Sequence, residues 1–189
     1  MSETRPDSAR PAPARMDGQR LSLRLVTPDD AEYIHGLRTN PLYNTHLSAV
    51  SGTADDQRSW IERYKLREAG GQEYYYVIQR RDGPRSGVVR LYDIAGDQFT
   101  WGSWILDENK PAKAALDSAL LSFSLAFDHL GLDLGLIDVR HENAKAIAFY
   151  RRFGMVETRQ NDQNIYFELQ RRLFEREREK HILSIGLEE

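Results

Sequence analysis

No cysteine occurs among the 189 residues. That absence excludes a disulfide framework, a thiolate nucleophile and a metal centre held by cysteine. No apolar run approaches the roughly 20 residues that cross a bilayer. The N-terminus carries no apolar segment of the signal-peptide kind, and such a chain suits the cytoplasm. Charge of neither sign dominates. The formal net charge of −3 argues against nucleic acid and an anionic membrane as partners. His35, His46, His129, His141 and His181 show no metal-ligand spacing, and His141-Glu142 does not open an H-E-x-x-H helix. Neither a G-x-S-x-G elbow nor a G-K-[ST] phosphate loop is found.

What is present reads as one soluble domain. Hydrophobic residues make up 40% and charged residues 29%, an ordinary balance for a chain long enough to bury a core. Residues 1–18 hold Pro6, Pro11 and Pro13 among small and charged residues, which predicts a disordered arm. The folded domain is expected over 19–169. Residues 170–189 form a charged helix and tail with alternating Arg and Glu, read as a solvated face. Leu173, Phe174, Ile182 and Leu183 offer the alternative of docking that helix on the domain or on a second subunit.

Period-two alternation at Leu21–Leu25 predicts a strand. Thr27-Pro28-Asp29-Asp30 then supplies an N-cap, a first-turn proline and two acids for a helix that Pro41 ends. Leu42 to Gly52 has no clean period and reads as a loop. A second helix spans Ala54 to Ala69, with Trp60, Ile61 and Tyr64 inward and Gly70-Gly71 as its stop. Tyr74–Gln79, Ser86–Asp93 and Phe99–Leu106 form an antiparallel meander around Gly-containing turns. Ala112 to Leu130 is apolar over much of its circumference, so it predicts a mostly buried helix, closed by Gly131. A strand at 134–139 follows. Right-handed crossover makes it parallel to Phe99–Leu106. Two further strands, Met155–Arg159 and Asn164–Leu169, end the domain. The fold class is therefore α/β of the α+β type. It has one mixed central sheet of about seven strands with helices on both faces. In such a sheet ligands bind beyond the carboxyl ends of the parallel strands, where helix N-termini await anions.

Everything is organised around Asn143 to Gly154, the helix after that buried strand. Asn143 is a capping residue, Gly154 a stop, and Ala146, Ile147, Tyr150 and Phe153 share one face. Asn143-x-x-Ala146-Ile147-x-Phe149-Tyr150-x-x-Phe153-Gly154, with the element order, resembles the GCN5-related N-acetyltransferase (GNAT) superfamily over Leu21 to Leu169.

The resemblance implies a splay of Phe99–Leu106 from its parallel neighbour, with acetyl-CoA in the wedge as acyl donor. It places that cosubstrate against Trp104, Ile105 and Leu106 of the strand. Lys110, Ala112, Lys113 and Ala114 fall at the phosphate loop, and Asn143, Lys145 and Ala146 at the last helix start. Tyr150 falls near the thioester sulfur as the catalytic residue. Its reference pKa of about 10 lies near that of an alkyl thiol, so a phenol can protonate the departing thiolate. A backbone N–H around Ile105 or Leu106 would bind the carbonyl oxygen. One departure stands out. The family's phosphate loop carries glycines, whereas residues 107–115 have none, leaving small alanines and two lysines in their place.

The acceptor side is expected from Arg38, Asn40 and His46 on the loop and from Tyr76, Tyr92 and Trp101 on the strands. Aromatic, amide and guanidinium groups together suit a sugar ring or a base. Val89–Asp93 and Trp101–Ile105 also resemble acetyltransferases of polysaccharide and nucleotide-aminosugar pathways. His46, Glu73 and Asp93 are candidate bases. Expected partners are acetyl-CoA and a small-molecule amine, with the protein a monomer or homodimer. No metal is implied. Three readings stay open. They are N-acetylation of an amino sugar, with the nucleotide-linked kind included; N-acetylation of a protein N-terminus or ribosomal protein; and a non-catalytic acyl-CoA-binding module.

Overall fold

A computed structural model describes residues 11–187. Strand β1 is Arg15–Asp17 and β2 is Leu21–Leu25. A single turn at Pro28–Asp30 leads into α1 (Ala31–Thr39), α2 (Pro41–Asn44) and α3 (Ala54–Ala69). The meander is β3 (Tyr74–Arg80), β4 (Arg85–Ala95) and β5 (Gln98–Leu106). Then come α4 (Ala114–Ser124), β6 (Leu134–Arg140), α5 (Ala144–Phe153), β7 (Val156–Gln160), β8 (Asn164–Gln170) and α6 (Arg171–Gly186).

The eight strands form one sheet in the order β1-β2-β3-β4-β5-β6-β8-β7. Every neighbouring pair is antiparallel except β5 with β6. The expected α/β fold with a mixed sheet is therefore present. Strand β3 shows why its sequence lacks alternation: Tyr74 to Ile78 are all buried. Tyr75 and Val77 pack with Ile34, Ile61 and Tyr64 of α1 and α3. Tyr74, Tyr76 and Ile78 belong to the opposite core, with α4, α5 and α6. A strand covered on both faces reads as a continuous apolar run. Thr53 closes a capping box with Asp56 and starts α3 where a Thr-x-x-Asp pattern allows it.

Four expectations need correction. The arm expected over residues 1–18 is ordered in its later part. Residues 1–10 lie outside the described residues, but Arg15–Asp17 pair with Ser22–Arg24 and supply the eighth strand. Pro13 is tied down as well, because its carbonyl accepts the Tyr76 hydroxyl at 2.8 Å. Sequence pattern misses β1 because a three-residue edge strand has no period to read. Second, the stretch read as loop from Leu42 opens with α2, which Asn40 caps by accepting the Leu42 N–H at 2.9 Å. Third, the crossover helix starts at Ala114 rather than Ala112, and its last five residues, Leu125–His129, widen into a π turn.

Last, the C-terminal helix is not a solvated appendage. Phe174, His181 and Ile185 are buried. Phe174 meets Phe127 at 5.3 Å between ring centroids. The His181 imidazole stacks on Phe153 at 4.6 Å and its Nε2 lies 3.0 Å from the Phe153 carbonyl. A carbonyl only accepts, so Nε2 donates there. The helix thereby buttresses α5, while Leu183 stays exposed.

Candidate active site

Pairing between β5 and β6 covers only Gln98–Thr100 against Leu134–Leu136. Both strands continue, β5 to Leu106 and β6 to Arg140, without meeting again. A β-bulge accompanies the separation. Arg90 faces Gly102 and Val88 faces Ile105, so Ser103 and Trp104 together oppose Val89 alone. Ser103 takes φ 47, a left-handed conformation that costs a non-glycine residue of order 1 kcal/mol or more and that packed surroundings must hold in place. The bulge takes N–H groups near Ser103 and Trp104 off the ladder. It falls just before the expected donors at Ile105 and Leu106, which remain in register with Val88 and Gly87.

Two cavities open from the wedge and share Trp104 and Asn143 as a common wall. The first, about 290 Å³, is lined on one side by Arg38, His46, Leu47 and Ser48. Tyr92, Trp101 to Ile105, Asp138 to Arg140, Tyr150 and Asn164 complete it. The second, about 700 Å³, is lined by Trp104, Leu106, Lys110, Ala115, Phe149 and the α5 residues Asn143 to Ala146, Ala148 and Arg152. Three cations and a largely apolar floor suit a long ligand with an apolar arm and phosphates at one end.

Tyr150 lies in the smaller cavity, beside the shared wall residue Trp104. It is 6% exposed and lines the first cavity. Its ring packs edge-on to Phe167 at 5.6 Å and to Trp101 at 6.0 Å. Its hydroxyl makes no hydrogen bond among the described residues. Burial pushes the phenol well above its ordinary value, and the nearby Asp138 charge pushes it further. The two tryptophans that frame it are fixed from behind. Trp101 Nε1 donates to Ser122 Oγ at 2.8 Å and Trp104 Nε1 to Ser118 Oγ at 3.1 Å. These small hydroxyls on α4 satisfy the indole N–H groups and set both rings.

Asn143 caps α5: its Oδ1 accepts the Ala146 N–H at 3.2 Å. That leaves its amide N–H groups as the part available to a ligand. At the glycine-free loop, Asp107 is buried and accepts the Tyr33 hydroxyl at 2.6 Å and the Asn109 N–H at 2.8 Å. Lys113 adopts φ 62, doing at some strain what a glycine does freely. The Ala114 N–H is used by the Pro111 carbonyl, at 3.2 Å. The next two N–H groups of α4, on Ala115 and Leu116, have no backbone acceptor among the described residues and are suited to an anion.

Of the expected cofactor residues, Trp104, Leu106, Lys110, Asn143, Lys145 and Ala146 meet in the larger cavity. Ile105 lines the smaller one. Ala112, Lys113 and Ala114 line neither; they shape the turn into α4, with Ala114 buried in the core. On the acceptor side Arg38, His46, Tyr92 and Trp101 do converge. Asn40 does not, being committed to capping α2, and Tyr76 lies wholly within the core beneath the sheet. Glu73, itself buried, is engaged in ion pairs with Arg67 and Arg90 and lines neither cavity. Asp93 is exposed and off the cavity wall. Sequence reasoning missed Asp138, Arg140, Asn164, Phe149 and Arg152. A usable signal existed for Asp138, a charge inside an apolar strand motif.

The model of the Acetyltransferase (GNAT) domain family matches residues 20–156. Among solved structures, the apo form of FdhC, described as a nucleotide-linked sugar GNAT, is 36% identical, with a TM-score of 0.82 over 88% of this chain and 96% of that one. Mycobacterium smegmatis RimJ in complex with CoA-disulfide is 14% identical, with a TM-score of 0.79 over 94% and 97%. Spermidine N-acetyltransferase from Vibrio cholerae, in complex with CoA and spermine, is 20% identical, with a TM-score of 0.71 over 82% and 98%. The last two show likeness of fold alone. No curated relative matches the chain.

Proposed function

Because the chain belongs to the GNAT acetyltransferase family and is an N-acetyltransferase, we propose that it moves the acetyl group of acetyl-CoA to the primary amine of an amino sugar, with nucleotide-linked sugars the favoured class. The observation that supports this reading is a pair of unlike cavities that share Trp104 and Asn143 as a wall, with Tyr150 lining the smaller one beside Trp104. One has Lys110, Lys145 and Arg152 around an apolar floor; the other has aromatic walls, Arg38 and Arg140.

The residues present fit acetyl-CoA. Ala144, Ala146 and Ala148 leave room along α5 for the pantetheine arm. Lys110, Lys145, Arg152 and the free N–H groups at the start of α4 supply positive potential for its phosphates. Bound there, acetyl-CoA supplies the thioester that the amine attacks. The off-ladder N–H groups near Ser103 and Trp104 stabilise the oxyanion that develops on the thioester carbonyl. Tyr150 gives its proton to the leaving sulfur and recovers one from the attacking nitrogen. Its raised pKa does not spoil this exchange, because the nascent thiolate forms in the same desolvated place and loses hydration alongside it.

Arginines in the acceptor cavity favour a substrate that bears anionic groups as well as an amine. A polyamine would meet Arg38 and Arg140 unfavourably, and FdhC, 36% identical, is described as a nucleotide-linked sugar GNAT. The test is thiol release from acetyl-CoA with three panels: nucleotide amino sugars, free amino sugars and N-terminal peptides. Turnover greatest with the first supports the reading. Turnover confined to peptides replaces it with a protein N-acetyltransferase, and acetyl-CoA binding without turnover on any amine replaces it with a binding module.

A further inference from the structure

The smaller cavity has one carboxylate among the described residues that line it, Asp138. Its neighbours in β6, Ile137 and Val139, are buried in the core, so strand alternation turns Asp138 to the opposite face. It stands two positions beyond Leu136, the last β6 residue paired with β5, which puts it on the wall of the wedge just past the split. Unlike the other carboxylates near the wedge, it has no structural duty. Glu73 is locked between two arginines, Asp107 holds Tyr33, and Asp117 accepts the N–H groups of Arg20 and Leu21. The hydrogen bond Asp138 makes is to a neutral amide, with Asn164 Nδ2 donating at 3.4 Å. Arg140 lines the same cavity. The negative charge of Asp138 is felt at both tyrosines of the cavity, Tyr150 and Tyr92.

We infer that Asp138 is the residue that recognises the acceptor's amino group. The inference rests on the reading of the smaller cavity as the acceptor site. An amine with an ordinary pKa enters largely as an ammonium ion, and the cavity's other permanent charges, Arg38 and Arg140, repel it. Asp138 offsets that repulsion and gives the ammonium a charge-assisted hydrogen bond. After a proton is lost to solvent, the same carboxylate accepts a hydrogen bond from the neutral amine and keeps its lone pair directed along the wall toward Tyr150. The arginines hold the anionic end of the acceptor, so one molecule is oriented by two charges of opposite sign.

The decisive comparison is wild type against Asp138→Asn and Asp138→Glu, on whichever amine of the three panels the wild type turns over fastest. Asn preserves size and the Asn164 contact but removes charge. The expected result is a KM for the amine raised about 10- to 100-fold in the Asn variant. The same variant should keep kcat within about fivefold, with KM for acetyl-CoA and melting temperature unchanged, and Glu should recover part of the loss. A merely structural role would move melting temperature and the acetyl-CoA KM as well, and that pattern overturns the inference. So does an unchanged amine KM, or a collapse of kcat alone. If the wild type acetylates none of the amines, the proposed function itself falls, and the role of Asp138 with it.

Discussion

Removing one oxygen atom, in Tyr150→Phe, tests the chemistry with little disturbance to the fold. The ring contributes most of the packing, against Trp101, Trp104, Phe149 and Phe167, and phenylalanine keeps all of it. The hydroxyl leaves no partner behind, since it makes no hydrogen bond among the described residues. The hydroxyl is not among the buried polar atoms left without a partner and faces the cavity, so its removal should leave stability within about 1 kcal/mol of the wild type. Catalysis should suffer instead. A positioned general acid contributes about 10²- to 10⁴-fold, equivalent to about 3–5 kcal/mol of barrier. The expected outcome is a kcat for thiol release lowered by that factor, with the acetyl-CoA KM within about threefold because the phenol oxygen is a small part of that cleft. Thermal melting and calorimetric CoA binding, run on the same preparation, separate chemistry from folding. A folded, CoA-binding Tyr150→Phe enzyme with kcat within threefold of wild type would refute the acid assignment. Tyr150→Ala is the wrong test, since deleting a buried aromatic costs about 3–5 kcal/mol and confounds the two effects.

The same burial has a pH consequence. A general acid must be protonated, and the Tyr150 phenol is raised above its ordinary value, so kcat should stay level on the alkaline side to about pH 10, the reference value for tyrosine. A fall beginning near pH 8.5 in kcat would contradict this. Gly87 lies opposite Leu106 at the mouth of the wedge, where an added Cβ would collide with the Ile105 carbonyl oxygen. Gly87→Ala should therefore cost about 1–3 kcal/mol by chemical denaturation and raise the acetyl-CoA KM as β5 shifts. Thr53→Ala opens the α3 capping box and should lose about 0.5–2 kcal/mol, read as a lower melting temperature, with kcat within twofold. Arg38→Gln should lower kcat/KM about tenfold for nucleotide amino sugars and much less for free amino sugars, if the guanidinium holds an anionic group.

Much of the fold is legible in local pattern because the elements that matter are strongly marked. The string from Asn143 to Gly154 carries its own cap, its apolar face and its stop, and α5 forms where those signals say, with Gly154 at φ 99. Phe99 to Leu106 and the 134–139 strand likewise read correctly as a parallel pair. The errors have a common cause. Tyr76, Asn40 and the tail helix were judged by residue type, and type does not say which face of an element is covered. Tyr76 falls on the core side of β3 by alternation that a strand buried on both faces hides. Phe174 and His181 look like isolated apolar or titratable residues in a charged run until the helix is laid across Phe127 and Phe153.

Composition and motif by themselves determine that this chain has no thiol chemistry, that it forms a mixed α/β sheet, and that a capped helix delivers a buried tyrosine beyond the end of a parallel strand. Which groups surround that tyrosine is a tertiary matter. Arg38, Trp104 and the segment from Asp138 to Asn143 lie far apart in sequence and line one cavity where β5 and β6 have separated after three paired residues. That separation depends on a bulge at Ser103 and on indoles anchored to hydroxyls of α4, contacts whose energy is non-local and leaves no period in the chain. The tyrosine could be read from spacing; the cleft that gives it a task could not.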